Sequence, residues 1–381
     1  MTGRATVADL FAGCGGGSIG FQQAGFEVIG AVEIDGDAAA AYVANVGVQP
    51  LARDVREVTG ADLLAQAGIG VGELTLLFGC PPCQSFTILR RGTAETSADG
   101  ARNSLPREYT RLVKELRPRH IAFENVPGMM GARWRHRFDE LLMDLAALGY
   151  GCAWAVLDAA DYGVPQRRRR LVVVGSRLVE PTLPAPTHSA SGDDGLSPHL
   201  TVRDAIGDML PLGPGEADPA DPFHRARRHS DIAIRRLQAV PEGGGRKNLP
   251  PELQLACHKG HPGYYDIYGR MWWNRVAPTL TSGCTNVTKG RFGHPEQDRA
   301  ITLREALLLQ GFPAGAMVSG VNTDTMALQI GNAVPPPLTA AVGRTIIEME
   351  ARAGEDAQLT STARAGTDRS DLVVSGRATA W

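Results

Sequence analysis

Two cysteines enclose a pair of prolines in Phe78-Gly-Cys-Pro-Pro-Cys-Gln-Ser-Phe86. Proline fixes the backbone and so positions the thiol that follows it. A thiol held in this way, Cys83, is a candidate nucleophile. Cys80-x-x-Cys83 is also the spacing of a redox pair or of half a zinc site. No second Cys-x-x-Cys accompanies it, and Cys257-His258 is an isolated pair. A thioredoxin-like pair sits at a helix start, whereas prolines and a long Gly/Ser-containing loop surround this one. Glu124, in Phe123-Glu-Asn-Val-Pro127, ends an apolar run. A carboxyl there is costly to bury unless it is used. It is suited to giving a proton to a ring nitrogen, and the competing role is a cap on the next turn. Gln166-Arg-Arg-Arg-Arg170 leads into another apolar run. Strand alternation sends Arg168 and Arg170 to one face and Arg167 and Arg169 to the other.

A second group of residues suits a cofactor. Asp9-Leu-Phe-Ala-Gly-Cys-Gly-Gly-Gly-Ser18 closes one apolar run and opens a helical pattern. Glycines allow a sharp turn and a close approach of backbone to ligand, with helix N-terminal amides aimed at it. The spacing departs from the dinucleotide G-x-G-x-x-G, because Ser18 holds the last position. Glu33 follows about 20 residues on, where an acid can accept from ribose hydroxyls. Asp54, after a short strand at Leu51, is placed to accept from an exocyclic amine or to cap a turn. Together the three signals indicate a nucleoside-containing cofactor.

These residues need a scaffold that brings strand ends together. Val7–Phe11, Val28–Glu33, Leu74–Gly79, His120–Glu124 and Leu171–Gly175 read as buried strands. Ala38–Val46, Tyr109–Leu116 and Phe138–Leu148 read as intervening helices. Such alternation predicts an α/β fold with a largely parallel sheet, whose ligands bind at the carboxyl ends of the strands. After Gly175 the chain becomes rich in Pro, Gly, His and Arg, as a smaller loop-rich domain would be. Thr302–Gln310 and Thr339–Glu350 read as helices again. Gly354–Trp381 is small and polar, and a disordered tail is expected there.

The chain has 381 residues, 43% hydrophobic and 21% charged, with a net charge of −2. No stretch reaches the roughly 18–20 apolar residues that cross a bilayer, and no signal peptide is evident at the N-terminus. Irregularly spaced cysteines suggest reduced thiols and a cytoplasmic protein. Basic charge is local: Phe223 to Lys259 holds eight Lys or Arg against three Asp or Glu. That run, with Arg227 and Arg228 in it, is either a solvated face or a set of phosphate contacts.

Taken in order, Phe-Ala-Gly-Cys-Gly-Gly, Val-Glu-Ile-Asp35, Pro-Pro-Cys-Gln84, Glu-Asn-Val126, Gln-Arg-Arg-Arg-Arg170 and Gln-Ile-Gly-Asn-Ala-Val334 resemble the motifs of the C5-cytosine DNA methyltransferase family. The match runs from Val7 to about Ile347. The resemblance implies a Rossmann-like class I methyltransferase domain (residues 1–175 and 330–353), with a target-recognition domain between (176–329). It implies that Cys83 attacks cytosine C6, that Glu124 meets N3, and that Arg168 and Arg170 orient the base. It places S-adenosylmethionine at Phe11, Gly13, Gly15, Glu33, Ile34, Asp54 and Asn332, with Ile34 where some relatives set an aromatic ring against adenine. Asn332 lies in the last motif, which returns to close the cofactor site. The partner implied is double-stranded DNA, with the target base flipped out. Ser85–Ser104 resembles the mobile loop that closes over it, and the basic run falls in the recognition region. A monomer is expected, and a cognate restriction endonuclease is a partner the sequence leaves open.

A tRNA cytosine methyltransferase shares this core, but its Cys-Phe-Thr signature is missing from the recognition region. A DNA-binding module that had lost catalysis would lack Cys83 or Glu124. A nicotinamide oxidoreductase has no use for Pro-Cys-Gln or Glu-Asn-Val.

Overall fold

The computed structural model describes residues 4–82, 104–255 and 265–367, with side chains to residue 356. Cys83, the residues that follow it as far as 103, and Lys259 lie outside the described residues. Six strands form one sheet: β1 (Thr6–Leu10), β2 (Glu27–Val32), β3 (Leu76–Gly79), β4 (His120–Asn125), β5 (Gly151–Asp158) and β6 (Arg169–Ser176). Their spatial order is β2-β1-β3-β4-β6-β5. The pairs β1–β2, β1–β3 and β3–β4 are parallel, and β6 runs antiparallel to both neighbours. β1, β3 and β4 are buried along almost their whole length because helices cover both of their faces. The strand read at Leu51 is a single bridge to Val32.

On the two faces lie α1 (Gly16–Ala24), α2 (Gly36–Val46), α3 (Gly60–Ala67), α4 (Leu105–Leu116) and α5 (Arg135–Ala147). One apolar cluster includes Val7, Phe21 and Phe78, and the other includes Leu77, Leu112 and Phe123. Alternate residues of each strand feed opposite clusters. Full burial of one such side chain contributes about 1.5–3 kcal/mol. Tyr109 of α4 reaches the sheet between β3 and β4, its hydroxyl 3.0 Å from Ala122 O and 3.3 Å from Leu77 O. β5 is absent from the sequence-based reading. It is an edge strand of small and mixed residues, and its conformation comes from eight register pairs with β6.

The rest of the chain carries α6 (Val202–Ile206), α7 (Asp231–Gln238), α8 (Leu303–Leu309), α9 (Thr323–Asn332) and α10 (Pro336–Thr367). A small separate core contains Ala233, Leu237, Val240, Leu249, Tyr268, Val287 and Ala300. Met271, Trp273, Leu280, Phe292 and Ile301 instead join the large cluster under the sheet. Within 176–329, therefore, only part of the chain packs apart from the catalytic core. Trp273 is core, whereas Trp272 lies between the guanidinium groups of Arg275 and Arg291, 4.9 and 4.4 Å from its ring centre. Arg299 and Glu305 form a fully buried two-pronged pair at 2.8 and 2.7 Å that fixes the start of α8.

A disordered tail is expected from Gly354, and α10 runs on past that residue as far as Thr367. Extending a helix already nucleated and packed costs far less than starting one, so the weak periodicity of this stretch did not forbid it. The helix is anchored on α1. A Cβ at Gly16 would lie 2.3 Å from Val334 O, and one at Gly20 2.2 Å from Pro336 O, so glycine is what lets these backbones meet.

Candidate active site

The cofactor residues gather at the carboxyl ends of β1 and β2. Leu10 pairs with Val32, so Phe11 and Glu33 leave adjacent strand ends. Phe11 has φ 61°, a left-handed conformation rare for a bulky side chain, and Gly13 has φ 54° with open space where a Cβ would be. Strain of this kind clusters where a backbone must cradle a ligand. Glu33 holds the turn: its Oε2 accepts from Gly13 N at 2.7 Å and its Oε1 from Asp35 N at 2.8 Å. Burial pushes its carboxyl up, against the lowering effect of those amides. Each oxygen retains a lone pair for a hydroxyl. Ile34 beside it is 64% exposed, an apolar surface with nothing covering it among the described residues.

Asp54 is engaged by Arg56, whose Nε lies 3.0 Å from Oδ1, and that bond holds its carboxyl below the usual range. It also accepts from Arg56 N as the cap of a short 3-10 turn, so the turn-capping role read from the sequence is real. Asn332 ends α9 and is exposed, and the segment after it lies against the glycine turn through Val334 O and Gly16. An open cradle at Gly13, spare carboxylate lone pairs and an exposed apolar side chain suit a nucleoside.

At the ends of β3 and β4 the geometry is tighter. Glu124 is 4% exposed. Its Oε2 lies 2.7 Å from the Cys80 sulfur, and its Oε1 is 2.8 Å from Arg170 Nε. Asn125 Nδ2 donates to Pro81 O at 3.2 Å, tying the two-proline turn to β4 just before Cys83. The alternation expected of the arginines is observed: Arg167 and Arg169 are exposed, and Arg168 and Arg170 are turned in. Their contacts differ. It is 2% exposed, its Nη1 donating to Leu280 O and its Nη2 to Gly331 O and Ala333 O. Arg168 thus clasps three backbone carbonyls from two later segments, while Arg170 faces Glu124.

Comparison with known proteins decides the class. Residues 5–348 match the family described as C-5 cytosine-specific DNA methylase. The chain belongs to that family. It is a DNA (cytosine-5)-methyltransferase. It is 37% identical to the Type II methylase M.HgiDII of Herpetosiphon aurantiacus, over 89% of this chain and 94% of that one. It is 33% identical to the Type II methyltransferase M1.HphI of Haemophilus parahaemolyticus, over 90% and 87%. Among solved structures, a DNA modification methyltransferase encoded within an E. coli prophage superposes with a TM-score of 0.68. It shares 23% identity over 90% of this chain and 99% of that one, a likeness of fold. Among the described residues, no helix of the methyltransferase is long and apolar enough to cross a membrane.

Two participants in this DNA methylase site escaped the sequence reading. The sequence offers Cys80 only as half of a redox pair or zinc site and gives Asn125 no role; strand register, which sequence pattern does not specify here, brings both to the site. A third is Asp9, buried beneath the glycine turn. Ser18 Oγ donates to its Oδ2 at 2.6 Å and lies 2.7 Å from the Tyr42 hydroxyl. Among the described residues its Oδ1 has no hydrogen-bond partner.

Burial pushes the Asp9 carboxyl up to about 7, outweighing the Ser18 hydrogen bond. Because this value is raised on folding, the folded methyltransferase binds a proton that the unfolded chain releases. Stability from this group is full below about pH 4 and is lost as pH rises through about 7, by about 4 kcal/mol in all. The expected result is that Asp9→Asn flattens the dependence of denaturant midpoint on pH between about 4 and 7, relative to the parent. Curves that stay parallel would mean the carboxyl ionises elsewhere in the pH range.

Proposed function

We propose that this methyltransferase uses S-adenosylmethionine to methylate C5 of a cytosine flipped out of a specific duplex sequence, through a covalent bond from Cys83 to C6. The observation that carries the reading is the placement of Glu124. It is buried between the Cys80 thiol and Arg170, beside a turn that Asn125 ties to β4 and that leads directly to Cys83. In this reading Cys83 adds as thiolate to C6, which raises electron density at C5. Glu124 hydrogen-bonds or protonates N3 and offsets the charge that develops on the ring. Arg170 orients that carboxyl. S-adenosylmethionine, when bound, supplies an electrophilic methyl group. Phe11, Gly13, Gly15, Glu33, Ile34, Asp54 and Asn332 would hold it, with Glu33 on the ribose. Loss of the C5 proton and elimination of Cys83 release the product. Arg168 serves by holding the 280 and 331–333 segments together behind the site.

The recognition region supports duplex contact only in part of its basic run. Arg225, Arg228, Arg235 and Lys247 are exposed and are the proposed phosphate contacts. Arg227 is paired with Asp324 at 2.8 Å. Arg236 donates to Leu253 O and the Tyr268 hydroxyl, and Arg246 is buried. By likeness to the Type II relatives, the reading extends to the modification arm of a restriction-modification system, acting as a monomer.

Incubation with radiolabelled S-adenosylmethionine and either mixed-sequence duplex DNA or tRNA tests this. Label is expected in the duplex only, and bisulfite sequencing of DNA from an expressing host is expected to show one recurring methylated sequence. Label in tRNA, or none in duplex, would overturn the substrate assignment.

A further inference from the structure

Cys80 has no part in the mechanism just described, yet it touches the group at its centre. Its backbone N–H donates to Leu10 O at 3.3 Å, carrying the β1–β3 pairing one residue past the strand. Its sulfur lies 2.7 Å from Glu124 Oε2. The other oxygen, Oε1, is close to Arg170 Nε but is met by no aligned donor among the described residues. The terminal torsion of a carboxylate side chain is broad, so its plane stays undefined unless a donor holds one oxygen. Hydrogen bonds to an ionised acceptor are the ones strong enough to do this. The two oxygens of Glu124 are therefore inequivalent: one is held from the β3 turn, and the other lies beside Arg170.

We propose that Cys80 is a positioning residue for Glu124, its thiol holding Oε2 so that Oε1 is the oxygen presented to the target base. The assignment rests on Glu124 being the group that meets cytosine N3. A cysteine that only filled the turn would act through its size. A positioning thiol acts through its hydrogen, and only while the carboxylate is there to receive it.

The test uses the full chain with radiolabelled S-adenosylmethionine and unmethylated genomic duplex DNA of mixed sequence. Cys80→Ala is expected to lower kcat roughly tenfold, the loss typical of one hydrogen bond to a charged group, with KM for both substrates within about twofold. Cys80→Ser, which keeps a donor, is expected to recover most of that loss. In a Glu124→Gln background, Cys80→Ala is expected to add little, because the two residues act as one unit. Equal losses in Cys80→Ala and Cys80→Ser would overturn the proposal, as would the same roughly tenfold loss added on top of Glu124→Gln. If Glu124→Gln alone turns over at the parental rate, the acid role fails first and the Cys80 assignment falls with it. Should Cys80→Ala fail to fold, Cys80→Thr and Cys80→Val differ in the hydroxyl at similar volume and carry the same comparison.

Discussion

A duplex in which 5-fluorocytosine replaces cytosine is expected to become covalently attached to the enzyme when S-adenosylmethionine is present, and Cys83→Ser is expected to form no adduct. Fluorine at C5 cannot leave as a proton, so elimination stalls after methylation and the bond to C6 persists. The serine variant fails at the first step, because a hydroxyl is far less ionised than a thiol at neutral pH and is the weaker nucleophile. The effect is all or nothing, and denaturing gel electrophoresis followed by peptide mapping reads it. Cys80→Ser should still be trapped, since that residue positions a neighbour and forms no bond to the base. A redox role for Cys80 and Cys83 predicts the contrary: both substitutions abolish activity equally, and the activity responds to oxidant. Mapping the adduct to a cysteine other than Cys83 would overturn the mechanism.

The second large effect is expected at Glu124. Glu124→Gln keeps the shape and can still hydrogen-bond, but it cannot give up a proton. General acid catalysis is typically worth about 10²–10⁴ in rate, and turnover is expected to fall within that range. Binding to duplex DNA should survive, because Glu124 is buried and is not one of the exposed basic residues proposed to meet phosphates. The structure adds a qualification to the choice of substitution. Gln in this position places an amide against either the Cys80 thiol or the Arg170 guanidinium, and the orientation with its oxygen toward Arg170 is the favourable one. Single-turnover methylation measured beside equilibrium DNA binding separates the two effects. Full turnover in the variant would leave Glu124 as a structural residue at the end of β4.

Several parts of this site were legible in the residues themselves because their causes are local. A glycine run opening a helix, prolines before a thiol and an acid ending an apolar run each declare a backbone geometry or a cost of burial within a few residues. The five strands identified from apolar runs are present for the same reason: strands covered on both faces need apolar residues throughout. Alternation through the start of β6 and the two residues before it also separated Arg168 and Arg170 from their neighbours correctly. What alternation could not do was divide the inward pair. That was decided by the later segments, which enclose Arg168 in backbone carbonyls and leave Arg170 facing Glu124. The basic run divided likewise, since Arg227 met Asp324 and Arg236 met Leu253 and Tyr268 only through folding. The contact between Cys80 and Glu124 shows the reason most directly. These residues are 44 apart in the chain, and they meet because β3 and β4 pair in the register Gly79 to Phe123, which sets the next residue of each strand side by side. Residue types announced a thiol turn and an acid at two strand ends. Register is a property of the assembled sheet, where a slip of one residue would turn Glu124 to the opposite face, and it alone decided that the two would touch.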